Sequence, residues 1–139
     1  MQRNWERVMM LILTMLLVGR AMTLAFILRA GGTMPGDPPS AWLMPLVGDA
    51  IIGVTGLVIV YLIWRRRGLW VWTTIVAWNA IAIWDALSAY IIHITNPWPE
   101  FFMIQLLGSS MFFAATMMHL VNILLAARPN ARRQLLGQL

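Results

Sequence analysis

The sequence contains no cysteine and no lysine. Without cysteine there is no disulfide, no thiolate metal site and no cysteine nucleophile. That absence places the chain in no particular redox compartment. Without lysine, all ten basic residues are Arg, which reflects coding bias rather than chemistry. Charge of either sign is scarce: 11% of residues are charged against 60% hydrophobic, a balance that excludes an ordinary soluble domain. The net charge of +5 does not point to nucleic acid, because the Arg residues flank apolar runs and form no stripe on a soluble face. Reaction motifs are missing too. No G-x-S-x-G, H-E-x-x-H, P-loop or dinucleotide fingerprint occurs, and no loop is long enough for a soluble catalytic domain. Nothing here points to an enzyme.

What is present is four long apolar runs in 139 residues, a single membrane domain by length. They fall at about 8–28, 43–64, 69–94 and 101–127, each long enough to cross a hydrocarbon core of ~30 Å at ~1.5 Å per residue. A signal peptide is the rival reading of the first run, since Arg3 and Arg7 precede it. No small-x-small cleavage site follows cleanly, and apolar sequence resumes after Arg20, so the run reads as a span. The expected fold is an all-α bundle of four transmembrane helices. Counting Arg residues near the span ends sets its orientation. Arg3, Arg7, Arg65, Arg66, Arg67, Arg128, Arg132 and Arg133 fall on one side and only Arg29 on the other. Both termini are therefore expected in the cytoplasm of a bacterial inner (plasma) membrane protein. Trp5, Trp64, Trp70 and Trp72 would mark the inner interface, and Trp42 and Trp98 the outer one.

The stretch 78–93, WNAIAIWDALSAYIIH, organises the polar residues. At 100° per residue Asn79, Ala82, Asp85, Ala86, Ala89 and His93 share one sector, while Val76, Ile83, Trp84, Leu87 and Ile91 lie opposite. This predicts a large lipid face and a small polar protein face. The second span repeats the pattern with Asp49, Gly53, Gly56 and Val60, and the fourth with Gln105, Gly108, Ser109, Phe112, Ala115, Thr116, His119 and Asn122. In the first, Gly19, Arg20 and Thr23 cluster. Close helix approach alone accounts for most of these small and hydroxylic residues.

Ionisable residues are harder to account for, since a charge near a span centre costs ~2.5–3.5 kcal/mol on insertion scales. Counting helical rise inward from the outer ends puts Asp49 at ~9 Å, Arg20 and Asp85 at ~12–14 Å, and Gln105 and Ser109 at ~6–12 Å. Arg20, Asp49, Asp85, Gln105 and Ser109 are therefore expected in one outer layer. Three readings of it stand. Arg20 fixes packing by bridging both aspartates; or one Asp titrates or holds a cation or polar ligand; or Arg20 or Asp49 snorkels outward and the layer is accidental. Asn79, His119 and Asn122 form a second, separate polar spot nearer the cytoplasm, and His93 is expected to be solvated.

No cofactor is predicted. One chain cannot supply two imidazoles to one haem, because His93 and His119 lie ~20 Å or more apart in depth. A single-His pigment or an inter-subunit haem stays open. Met117-Met118-His119 invites copper, but consecutive helical residues point different ways. A Ser–His pair is not expected, since Ser109 and Ser110 lie far in depth from His119.

Pro45 with Gly48-Asp49 opening the second span, Arg65-Arg66-Arg67 closing it, Asn79 and Asp85 in the third, and Pro99 and His119 in the fourth carry a loose resemblance over residues 42–127. On them the chain resembles uncharacterised small four-span proteins of bacterial inner membranes. The resemblance implies the architecture and no activity. Small multidrug-resistance transporters are similar in size and span count, but their essential carboxylate lies in the first span, where this chain has Arg20. Two function classes follow. One is a binding or transport protein for an ion, proton or small polar ligand, with Asp49 and Asp85 as the site and Arg20 as counter-ion. The other is an accessory or assembly subunit, with partners in the lipid bilayer that are either copies of itself or other membrane subunits.

Overall fold

A computed structural model describes residues 5–29 and 34–137. Arg3, and residues 30–33 at the start of the first loop, lie outside them. Among the described residues there is no strand. The helices are α1 (Trp5–Val18), a 3-10 turn (Gly19–Met22), α2 (Thr23–Arg29), α3 (Leu43–Arg65), α4 (Leu69–Thr95), α5 (Phe102–Leu107), α6 (Ser110–Ala127) and α7 (Pro129–Leu136). Four helical stretches are long and apolar enough to cross a membrane: Trp5–Arg29, Leu43–Arg65, Leu69–Thr95 and Ser110–Ala127.

Two of the four expected spans differ in shape from a plain helix. The first is continuous in course but tightens into the 3-10 turn at Arg20, where three residues make a turn instead of 3.6. The fourth is broken. Gly108 takes φ 57° and ψ −153°, a conformation open to glycine and strained for other residues, and it ends α5 before α6 begins. The long prolongation of the fourth span to residue 101 is therefore corrected: α6 alone is long enough to cross.

Neighbouring helices run antiparallel. Arg7 Nε donates to Ile63 O at 2.7 Å and its Nη2 reaches Trp64 O, while Arg20, in the 3-10 turn past the end of α1, meets Asp49 further back along α3. Trp78 Nε1 donates to Thr55 Oγ1 at 3.0 Å across α3 and α4. Trp72 Nε1 donates to Ala126 O at 2.9 Å across α4 and α6. α6 also packs on α1, and the guanidinium of Arg128, just past α6, lies 5.1 Å from the Trp5 ring centroid. The starts of α1 and α4 and the ends of α3 and α6 therefore share one end of the molecule. α7 lies beneath them, tied in by Gly68 N donating to Leu135 O at 2.8 Å.

The apolar interior is split in two. One cluster gathers Met10, Leu17, Ile52, Ile59, Ile75 and Ala82 among others; the second gathers Leu46, Ala89, Trp42, Phe101 and Phe112. On α3 the division falls at Asp49, and on α4 at Asp85. Trp42 is a core residue, 2% exposed, stacked with Phe112 and tilted against Trp98. The face reading of α4 holds in part, since Val76, expected on the lipid face, is half-buried against the core and Ile83 is half-buried. Asn79, Ala82, Ala86 and Ala89 are buried, while Trp84, Leu87 and Ile91 are exposed.

Candidate functional site

Arg20 leaves α1 at the 3-10 turn, where Gly53 of α3 gives it room. A Cβ on Gly53 would overlap the Ala21 backbone, approaching its Cα to 2.6 Å. Thr23 secures the turn, its hydroxyl lying 2.8 Å from Arg20 O and 3.1 Å from Leu46 O. The guanidinium then meets three partners on three other helices. Nε donates to Asp49 Oδ1 at 2.6 Å, and Nη2 reaches the same oxygen. Nη2 donates to Asp85 Oδ2 at 2.5 Å. Nη1 lies 3.1 Å from His119 Nε2. Gly48 makes the Asp85 arm possible, because any Cβ there would overlap the Asp85 carboxylate. The Arg20, Asp49 and Asp85 side chains are 12%, 22% and 18% exposed, so the layer is largely enclosed without being sealed.

The contact with His119 corrects the separation of two polar spots. Helical Cβ atoms tilt toward the helix N-terminus. α1 and α6 run oppositely, so Arg20 leans toward the start of α1 while His119 leans toward the start of α6. Their tips meet although their Cα levels differ. Guanidinium only donates, so His119 Nε2 is the acceptor and its proton sits on Nδ1, which lies 2.8 Å from Asn79 Oδ1. Asn79 Nδ2 donates to Ile75 O at 2.8 Å. Asn122 Nδ2 reaches Asn79 Oδ1 at 3.4 Å and Thr14 Oγ1 at 3.3 Å. His119, Asn79, Asn122 and Thr14 are all fully buried. One continuous polar chain thus descends from the aspartates into the centre.

Gln105 and Ser109 do not join the layer. Both are exposed: the break at Gly108 separates Gln105 on α5 from the face of α6, and leaves Ser109 at the start of α6. Ser109 Oγ instead lies 3.1 Å from His93 Nε2. His93 is not simply solvated: its ring packs against Phe112 at 5.3 Å and Trp42 at 6.2 Å. This is a Ser–His pair, contrary to expectation, but an unsuitable one for nucleophilic attack. His93 Nδ1 is buried with no partner. The tautomer that avoids a buried, unpaired N–H protonates Nε2, which then donates to Ser109 rather than accepting its proton. Both ring nitrogens of His119 are engaged, so ligation of a pigment there would require displacing Arg20 or Asn79.

Three residues that the sequence does not single out belong to this picture. Thr14 ends the polar chain, Arg7 binds two carbonyls at the close of α3, and Glu6 is 3% exposed with Oε2 unpartnered. The signal for two of them is spacing: Glu6, Met10, Thr14 and Leu17 recur at i, i+4, i+8 and i+11 and form the buried face of α1. No protein-family model, curated protein or solved structure matches the chain.

Proposed function

We propose that the chain is a four-helix bundle of the bacterial inner membrane, of the small four-span type, with both termini cytoplasmic. In this reading the Arg20–Asp49–Asp85 layer binds one exchangeable positive charge, a proton or small cation, and serves binding or transport from the outer face. The orientation rests on Arg7, Arg65, Arg66, Arg67, Arg128, Arg132 and Arg133 falling near one end of the spans and Arg29 near the other. The function rests on one observation: a single guanidinium is bonded to two carboxylates. With His119 neutral, one negative charge has no partner, and an unpaired charge at this depth is costly. A proton or cation removes that cost.

The test is infrared spectroscopy of the protein in lipid nanodiscs across a pH titration. A protonated-carboxyl C=O band that titrates, and is lost in Asp85→Asn or Asp49→Asn, is the expected result. Its absence at every pH, with no effect of added small cations on the carboxylate bands, would sink the reading.

The second reading, an accessory or assembly subunit, is favoured by the bonding of all three guanidinium nitrogens within the chain. That is what a packing pin requires. Gentle extraction from the native membrane separates the two, since a subunit would emerge in a larger particle with other chains or a visible chromophore.

A further inference from the structure

We propose that the elbow between α6 and α7 binds the phosphate-bearing headgroup of an anionic phospholipid. A cavity of about 440 Å³ opens there, lined by Ala127, Pro129, Arg132, Arg133 and Leu136. It is an open groove rather than an enclosed pocket, a shape that would receive a headgroup at the surface and leave the acyl chains outside. Two of the five lining residues are cations and none is an anion. Both ion pairs among the described residues belong to Arg20, and none of the described carboxylates pairs with Arg132 or Arg133.

Position singles out this pair among the arginines at this end. The Arg132 guanidinium lies 5.4 Å from the Trp72 ring centroid, and Trp72 is itself fixed to the elbow by its bond to Ala126 O. Arg133 Nη2 donates to Asn130 Oδ1 at 3.0 Å, which orients the fork, and its other N–H groups, which have no partner among the described residues, can donate to phosphate oxygens. Arg65 and Arg66 also lie over aromatic rings, those of Trp64 and Tyr61, but they are not among the residues that line this groove.

The apolar surface identifies a lipid rather than a free anion. Met117, Leu120 and Leu124 are exposed on α6, and at i, i+3 and i+7 they form a strip that runs down to Ala127 at the mouth of the cavity. An acyl chain lying on that strip would deliver its headgroup to the two guanidinium groups. A soluble phosphate would use only the charges. Such a site requires the helices to cross a bilayer and is independent of what the Arg20 layer does.

The experiment is native mass spectrometry of the full chain released from detergent with phosphatidylglycerol or phosphatidylcholine added in turn. Wild type should retain one phosphatidylglycerol in preference to phosphatidylcholine. Arg132→Gln with Arg133→Gln should lose that retention by roughly tenfold or more, as expected for two basic groups at a lipid surface. Arg65→Gln with Arg66→Gln should keep it. Equal losses in the two double variants would overturn the site in favour of general surface charge. Equal retention of both lipids would overturn headgroup recognition. Displacement by millimolar inorganic phosphate as readily as by phosphatidylglycerol would overturn the lipid and leave a free-anion site. Circular dichroism of each variant separates loss of the site from loss of fold.

Discussion

Arginine is treated in two opposite ways within this molecule. Arg20 is enclosed, with every nitrogen of its guanidinium bonded to a side chain from another helix. Arg65, Arg66, Arg128 and Arg132 are exposed, and their guanidinium groups lie over Trp64, Tyr61, Trp5 and Trp72. The difference follows from reach. Residues near a span end place a long apolar stem along the helix and leave the charge in water, using an aromatic face as a support. Arg20 has no such exit, so the protein brings the counter-charges to it. Three helices are thereby fixed to a fourth by a single residue, whereas the rim arginines fix nothing comparable.

The largest expected effect breaks this contrast directly. Arg20→Leu leaves two aspartates facing each other and should cost ~3–5 kcal/mol of stability, read as the unfolding midpoint in micelles. In an Asp49→Asn, Asp85→Asn background the same change should cost far less. An identical cost in both backgrounds would dissolve the ion-pair account. His119→Phe tests whether the layer and the central chain are one network. Losing an acceptor for Arg20 and a donor to Asn79 should cost ~1–3 kcal/mol, and an effect as small as that of Ser109→Ala would return the two spots to independence. Gly53→Ala should cost ~1–3 kcal/mol by overpacking against Ala21. Gly19→Ala, which meets nothing within 4 Å, should be neutral or slightly stabilising; similar behaviour at both positions would remove the close approach as the reason for Gly53. The smallest effect belongs to the rim. Arg66→Gln should change stability by less than ~1 kcal/mol, and a loss near that of Arg20→Leu would erase the comparison.

Composition and period carried much of the architecture. The runs around α1–α2, α3 and α4 are legible as spans because a soluble core seldom needs ~20 consecutive apolar residues and a bilayer crossing does. The sectors on α3 and α4 are legible because 100° periodicity survives along an unbroken helix. The shared level of Arg20, Asp49 and Asp85 follows from rise alone, since Asp49 and Asp85 sit on unbroken helices and the short 3-10 turn at Arg20 leaves the first span continuous in course. Rise fails elsewhere for two physical reasons. It locates Cα atoms, whereas antiparallel helices tilt their side chains toward each other, and a long residue such as Arg20 crosses the interval to His119. The register also resets at Gly108, which in the sequence is one more small residue in an apolar run. Only its positive φ shows that Gln105 belongs to a separate segment, α5, and that Ser109 stands at the very start of α6. Thr14 and Glu6 are hard to see in the first run because they lie away from its central charge, on a buried face that is otherwise apolar.

The bond from Gly68 to Leu135 has a bearing on how the molecule is made. Gly68 sits in the turn between α3 and α4, with φ 125°, and its partner carbonyl belongs to α7. During synthesis, segments nearer the N-terminus emerge first. Gly68 and all four spanning helices therefore leave the ribosome before Leu135 does. Until then the Gly68 amide lacks this partner, and the core cluster that contains Val71 and Ile75 lacks Leu135. Closing that bond is thus a late event, which follows the synthesis of all four long apolar helices.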